Sequence, residues 1–251
     1  MEYIYLSETV KVSKIAEDDR KGVFEIEGLF RGYGLTIGNA LRRVLISSLP
    51  GAAITRFRVK GAGHEFTTIP GVTEDVVELG LNLKQVRFTL YTDEPQEVTL
   101  KAKGEGTVTA ADIKTTSQVE VVNPTQHIAT LNTKGAELEI ILTVEKGLGY
   151  VPVEARRGER LAVGTIALDA IFSPVTNVNY TVENMRVGER TDYNRVRIEV
   201  ETDGTISPSS ALHKAANILR DHLNKVSEIE VKESKQEKAA GKEEKKGEKS
   251  K

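Results

Sequence analysis

An α+β fold is predicted for this chain, and three features of the sequence carry that reading. Apolar residues recur at helical spacing in two separate stretches, the middle third alternates with a period of two, and Gly, Pro and Asp punctuate the short alternating runs. Strands are expected from Ile4 to Leu29. Thr9 to Ile15 alternates, Asp18-Asp-Arg-Lys-Gly22 reads as a turn, and Val23 to Leu29 alternates again, so a hairpin feeds the first helix.

That helix follows a glycine-rich turn beginning at Arg31 and stops at Pro50-Gly51. Thr36 is placed as its N-cap, because a hydroxyl can accept from a free N–H of the first turn, and the helix is expected over about Ile37 to Leu49. Ile37, Leu41, Val44, Leu45, Ser48 and Leu49 fall on one face, and that stripe needs a partner. Asn39, Arg43 and Ile46 fall on the opposite face. An arginine beside an aliphatic residue there reads as a second contact surface, against the plainer reading of a solvated face. Gly32 and Gly34 begin a G-x-G-x-x-G pattern, but its third glycine would fall at Ile37, and no Lys-Ser or Lys-Thr pair follows Gly38. The plainer reading gives Gly32 and Gly34 left-handed turn dihedrals and has Gly38 admit another backbone.

Beyond Pro50, the segment Ala53 to Val59 reads as a one-sided strand, with Ile54, Arg56 and Arg58 opposing Ala53, Thr55, Phe57 and Val59. Thr73 is placed as the N-cap of a short helix from Glu74 to Leu83, weakened by Gly80. Short strands are then expected at Val86–Leu90, Glu97–Lys101, Gly106–Thr109, Gln118–Val122 and Ala136–Glu145, a β-rich module. Gly147 to Val153 reads as a loop and Glu154 to Leu161 as an exposed charged stretch. Val178–Val182 and Arg195–Val200 read as strands on either side of Arg186 to Tyr193. Ser207-Pro208, an N-cap followed by proline at the first helical position, opens a second amphipathic helix bearing Leu212, Ala215, Ala216, Leu219, Leu223 and Val226. From about Glu230 the tail of Lys, Glu, Gly and Ser is expected to be disordered and solubilising.

Composition narrows the function. The 251 residues suit one or two domains, and the absence of cysteine excludes disulfides and thiolate metal sites. No run of about eighteen apolar residues occurs and the first residues lack a basic start before an apolar segment, so a soluble, unexported, cytoplasmic protein is expected. Lys plus Arg (35) nearly balances Asp plus Glu (37), which gives no general attraction to nucleic acid. Aromatic residues are 5% and tryptophan is absent, which argues against a base-stacking platform.

Chemistry is equally sparse. His64, His127, His213 and His222 are not paired at metal-ligand spacing, and none belongs to a nucleophile motif. Asp18-Asp19 sits in a turn beside Arg20 and Lys21, and Glu137 and Glu139 alternate with Leu138 and Ile140 as the wet side of a strand. No closely spaced aspartates suit two-metal nucleotidyl transfer. These observations favour a scaffold or interaction protein over an enzyme. The alternatives are a nucleotide-dependent enzyme using the Gly32 to Gly38 turn and a free DNA-binding regulator.

Several motifs also carry a family resemblance. Gly34-Leu-Thr-Ile-Gly-Asn-Ala-Leu-Arg-Arg43, Ser47-Ser-Leu-Pro-Gly51, His64-Glu-Phe-Thr-Thr-Ile-Pro-Gly-Val-Thr-Glu-Asp75, Leu81-Asn-Leu-Lys84, Tyr150-Val-Pro152, Phe172-Ser-Pro-Val175, Val182, Arg186-Val-Gly188, Thr191-Asp-Tyr193 and Thr202-Asp-Gly-Thr205 resemble the bacterial RNA polymerase α-subunit family, in order, over roughly residues 5 to 228. The resemblance implies a dimerisation domain of sheet plus the two amphipathic helices, formed from residues 1–50 and 172–230. A β-rich second domain, 51–171, is inserted between them, and 231–251 is the tail. It implies a homodimer whose helices pack against their copies through Ile37, Leu41, Val44, Leu45, Leu49, Leu212, Ala215, Ala216, Leu219 and Leu223. It also implies binding of the large subunits β and β′. Arg43, with Asn39 and Ile46 beside it, and Lys84 would meet β. Arg186, Arg190, Thr191 and Asp192 lie in the loop from Thr181 to Tyr193, which would meet the large subunits. Catalysis, DNA-directed nucleotidyl transfer with its magnesium, would then belong to the partners, with no catalytic residue or cofactor in this chain and DNA reached only through the complex. The family usually continues into a helical C-terminal domain that binds promoter DNA. The Lys/Glu tail stands in that place here, so direct promoter contact is not expected.

Overall fold

The computed structural model describes residues 9–156 and 162–229. The expected tail, the start of the first strand and the charged stretch from residue 157 to 161 lie outside them. The strands are, in order, β1 (Lys11–Glu17), β2 (Lys21–Leu29), β3 (Pro50–Val59), β4 (Phe88–Leu90), β5 (Gln96–Lys103), β6 (Gly106–Thr109), β7 (Ile113–Lys114) and β8 (Val119–Val121). They continue with β9 (His127–Leu131), β10 (Glu137–Leu148), β11 (Tyr150–Val151), β12 (Thr165–Ala167), β13 (Ala170–Ile171), β14 (Val175–Val187) and β15 (Arg190–Thr202). The helices are α1 (Tyr33–Ser47), α2 (Val76–Leu83) and α3 (Pro208–Ser227). The fold is α+β, as the periodicity predicts. Two compact units divide after Ala216, within α3.

Strands from both ends of the chain make one antiparallel sheet in the order β1-β2-β15-β14. Alternation decides its two faces. Val196, Ile198 and Val200 of β15 are fully buried, in register with Ile26, Phe24 and Gly22 of β2. The other face is polar, with Arg195 paired to Glu27 at 2.8 Å and Lys21 to Glu201 at 2.9 Å. The expected loop from Thr181 to Tyr193 is instead mostly strand. β14 and β15 form one long hairpin that turns at Gly188-Glu189, with Val187 opposite Arg190. Both faces of its outer end are wet, so no apolar alternation marks it in the sequence.

The middle of the chain builds a seven-stranded sheet in which β12 pairs with β3, off the path β7-β5-β10-β3-β4-β8. Its core includes Phe57, Phe88, Leu100, Leu138, Ile140 and Leu142, all nearly inaccessible. β3 is not one-sided as expected: Ala53, Ile54 and Thr55 are all buried, because Ile54 joins the main core while Ala53 packs with Ala170 and Phe172 in a second cluster. β9 was unmarked by alternation, since Ile128 and Ala129 are buried in succession. The segment Gly147 to Val153 is not a plain loop, because β10 runs to Leu148 and β11 pairs with β13.

The N-cap of α2 is Asp75 rather than Thr73. Its carboxylate accepts from the Glu78 N–H at 2.7 Å, whereas the Thr73 N–H donates to the Thr130 carbonyl across the loop. Glu74 turns inward. It is 8% exposed and accepts from the Thr130 N–H at 2.7 Å, with the His127 ring at 3.0 Å. Gly80 is buried, and a Cβ there would stand 3.2 Å from Leu168.

α3 opens as expected, with the Ser207 hydroxyl accepting from the Ser210 N–H at 3.4 Å. A second acceptor comes from far away in the chain: Glu17, at the end of β1, takes the Ser209 N–H at 2.8 Å and pairs with Lys14 at 2.8 Å. Lys14, then the Ser209 hydroxyl and N–H, pull the Glu17 carboxyl down to about 2. A carboxyl lowered by folding contributes stability above its unfolded value that is lost as pH falls through the folded one. The stability difference between the parent and Glu17→Gln is therefore expected to be constant above about pH 4.5 and to vanish near pH 2. Urea midpoints at stepped pH check this, and a difference that grew on acidification would contradict it.

Candidate functional site

α1 begins at Tyr33, one turn earlier than the Thr36 cap predicts. Its N-cap is Gly32, in the left-handed region at φ 88°, and it has no side-chain cap of its own. Thr36 is inside the helix, with its hydroxyl turned back to the Gly32 carbonyl at 3.5 Å. Around the helix start the Tyr33 N–H donates to the Phe30 carbonyl, and Asn194 of β15 meets the N–H groups of the N-cap Gly32 and of Gly34. Its Oδ1 accepts from Gly32 at 2.9 Å and from Gly34 at 3.4 Å, and its amide nitrogen donates to Asn184 Oδ1 at 3.2 Å. Asn194 is 7% exposed. In sequence it falls in phase with Val196, Ile198 and Val200, and a polar residue at a core-phase position was the signal that could have singled it out.

Gly34 has no left-handed backbone. Like Gly38, it is small because α1 lies directly on the sheet. A Cβ at Gly38 would stand 2.6 Å from the Tyr180 ring, and one at Gly34 would stand 2.7 Å from Val182. The group admitted by Gly38 is thus a side chain, not the backbone expected. This seating covers much of the apolar stripe. Leu41, Leu45 and Leu49 are 6%, 0% and 1% exposed within the single chain, while Ile37 and Val44 are half-buried. Of the five residues here assigned to pairing between copies, Leu41 and Leu45 of α1 and Leu49, which lies beyond the helix end at Ser47 rather than within it as expected, are therefore core residues of their own chain, and α1 itself is seated on β14 and β15.

The outer face of α1 is open. Asn39, Arg43 and Ile46 are exposed, Ile46 at 45%. Arg42 is engaged within the chain, donating to Asn39 at 3.2 Å with its guanidinium 5.6 Å from the Tyr180 ring. The Arg43 side chain makes no hydrogen bond or ion pair among the described residues, and only its carbonyl is used, by the Ser47 hydroxyl at 2.7 Å.

The β14–β15 hairpin is tied to the start of α1 by a second contact. Arg190 lies 5.1 Å from the Phe30 ring and 5.4 Å from Tyr193, and Phe30 meets Tyr33 edge-on at 6.4 Å. Asp192 receives both Arg190 Nε at 3.1 Å and Nη2 at 2.9 Å, and this bond holds its carboxyl below the usual range. Arg186 donates to the Gly188 carbonyl at 2.8 Å, and Thr191 is exposed. The structure thus joins the α1 and hairpin residues into one frame. Lys84 belongs to the other sheet's helix, as the C-cap of α2, where its ammonium pairs with Asp169 at 2.9 Å. Asp169, held low first by Lys84, also accepts the Val153 N–H at 3.0 Å.

On α3, Ala215 is buried, Leu212 half-buried and Ala216 exposed; Ala211 takes the inward place beside Ala215. In the second unit, Leu219 is half-buried and Leu223 is 65% exposed. No helix among the described residues is long and apolar enough to cross a membrane, and none of them form a group of three or more metal-ligating side chains.

Residues 56–173 match a family model described as the RNA polymerase Rpb3/RpoA insert domain. The chain is 51% identical over 209 residues to the DNA-directed RNA polymerase subunit alpha of Symbiobacterium thermophilum, an alignment covering 83% of this chain and 66% of that protein. It is 49% identical over 215 residues to the subunit of the same name from Alkaliphilus oremlandii, covering 86% and 68%. The chain spans about two thirds of the length of these relatives.

Proposed function

The chain belongs to the family of bacterial DNA-directed RNA polymerase α subunits, and from that premise we propose that it is the non-catalytic assembly subunit of such an enzyme. Two copies pair and present a platform on which the large subunits β and β′ assemble in the cytoplasm. Catalysis and its magnesium lie in those partners, and DNA is reached only through the complex. The four-stranded sheet with α1 and α3 is the pairing domain, and the seven-stranded sheet is the domain inserted into it.

The reading rests on the outer face of α1. A helix fixed to its own sheet by Leu41 and Leu45 offers Arg43, without an ionic partner among the described residues, beside an exposed Ile46. Arginine next to an open aliphatic residue is the composition of an interface anchor rather than of an ordinary solvated face. Asn39 completes that patch for β, and Arg186, Arg190, Thr191 and Asp192 extend the platform at the hairpin. Because much of the α1 stripe is internal, pairing between copies draws on Ile37, Val44, Leu212, Ala216, Leu219 and Leu223.

The test is co-purification with tagged β and β′, with stoichiometry as the readout. Arg43→Ala is expected to keep the two-copy mass and melting temperature of the parent while capture of β falls at least about tenfold, which is about 1.4 kcal/mol of binding. Loss of pairing with β capture intact would reverse the assignment of the two helix faces. Nucleotide binding by the isolated chain would favour the Gly32–Gly38 enzyme reading instead.

A further inference from the structure

The chain passes twice between its two sheets. Pro50 and Gly51 carry it from α1 into β3, and Phe172 to Pro174 lead it back into β14. The two crossings are closely packed, since a Cβ at Gly51 would stand 1.9 Å from the Phe172 carbonyl. A charge contact also spans the sheets, with Arg87 before β4 lying 3.7 Å from Asp203 after β15.

Beside these crossings is a cleft of about 360 Å³, lined by β4 and the start of β3 from one sheet and by Pro174, Thr205-Ile206 and Lys214 of α3 from the other side. Its walls are partly apolar: Phe88, Leu90 and Pro174 are buried residues and Ile206 is half-buried. Two of its polar groups are committed. Lys146 pairs with Asp93 at 2.7 Å, and the Thr205 hydroxyl donates to the Asp203 carboxylate at 2.6 Å. Two others, the Lys214 ammonium and the half-buried Thr89 hydroxyl, have no partner among the described residues. Lys214 stands two residues from both Leu212 and Ala216, about 200° around the helix from each, so pairing of copies through those two leaves it free.

Size and charge select the occupant. Small-molecule sites usually enclose roughly 300–1,000 Å³, and the cleft falls in that range. Its ionic lining is Lys146, Lys214 and Asp93, two positive charges against one negative, so a single negative charge on the ligand balances it. A nucleoside triphosphate or an acidic peptide brings several, and an uncharged molecule makes no use of Lys214.

We propose that this cleft binds a small organic monoanion, with its apolar body against Phe88, Leu90 and Pro174 and its one oxyanionic group on Lys214 and the Thr89 hydroxyl. Bound there, the molecule bridges the two sheets, because Thr89 belongs to β4 and Lys214 to α3. The site is complete within one chain and stands whether or not the large subunits assemble on it.

The experiment titrates the full chain with anilinonaphthalene sulfonate, an aromatic monoanion, and with phenylnaphthylamine, the same ring system without the sulfonate. The sulfonate is expected to bind about five- to tenfold more tightly, the difference made by one partly exposed charge-assisted hydrogen bond. Lys214→Gln is expected to remove that difference while keeping the parent's circular dichroism and melting temperature, because the side chain is exposed. Asp93→Asn frees Lys146 and is expected to tighten sulfonate binding about two- to threefold, a gain that damage to the fold would not produce. Amide shifts on titration are expected at Thr89, Leu90 and Ile206. Equal affinity of the parent for the two probes, or unchanged sulfonate binding by both variants, overturns the proposal. Shifts confined to the surroundings of Phe66 and Leu81, the exposed apolar residues at α2, overturn it as well by placing the probe there.

Discussion

Leu45→Ala is expected to lower the free energy of unfolding by about 2–5 kcal/mol, the usual cost of emptying a fully buried leucine site. Leu45 is 0% exposed in the single chain, with Leu41 and Leu49 on either side of it at 6% and 1%. The loss therefore falls on the seating of α1 against β14 and β15, before any second copy is involved. Urea unfolding of the variant at two protein concentrations separates the two possibilities. A side chain inside one chain lowers the midpoint at both concentrations, whereas a side chain at the pairing surface gives a concentration-dependent loss. A folded, single-copy Leu45→Ala protein with the parent's midpoint would return Leu45 to the pairing surface.

Asn194→Ala is expected to cost about 1–3 kcal/mol. The change removes the acceptor for the Gly32 and Gly34 N–H groups at the start of α1 and leaves the buried Gly34 donor unmet, a loss of about 1–3 kcal/mol. The effect is local as well as global. Amide exchange at Gly32 and Gly34 should accelerate first, since both N–H groups lose their partner, while the strand amides of the seven-stranded sheet hold. Because Asn194 also donates to Asn184, the β14–β15 hairpin is released along with the helix, and large-subunit capture is expected to fall with it. Unchanged exchange at Gly32 would show that the helix start is held by something else.

The elements most legible in the sequence were those whose period is written by one dry and one wet face. The strand reading at Arg195 to Val200 and the start of α3 at Ser207-Pro208 both survive in the structure. Legibility failed where both faces share one environment. The hairpin from Arg186 to Tyr193 is wet on both sides and read as a loop, while the middle of β3 at Ala53, Ile54 and Thr55 is buried on both sides and read as alternating. Caps failed for a different reason. Thr36 and Thr73 were reasonable local choices, but Asn194 supplies the acceptor for the first helix from 160 residues beyond Gly34, and Asp75 outcompetes Thr73 for the second.

The candidate site shows the same division. Arg43 and Ile46 stand out from sequence because a cation and an aliphatic residue share the helix face opposite the apolar stripe, and the structure leaves both exposed. Arg190 and Lys84 were named as contacts, yet each is already engaged, Arg190 by Asp192, Phe30 and Tyr193, and Lys84 by Asp169. The Arg190–Asp192 pair joins same-face neighbours on β15, whereas no local pattern reveals the bond of Lys84 to Asp169, 85 residues further on.

What the sequence alone determined is the class of fold, the two amphipathic helices, the β-rich middle and the family resemblance. These follow from spacing along the chain and from motif order, which neighbours in sequence suffice to specify. Only the tertiary structure decided which apolar side chains the chain covers for itself and which it leaves for another molecule. Burial depends on segments brought together from far apart in the chain: α1 with its buried Leu41 and Leu45 is seated on β14 and β15, whereas Leu81 and Phe66 remain uncovered. A stripe of leucines says that something must exclude water from it, and the fold says what does.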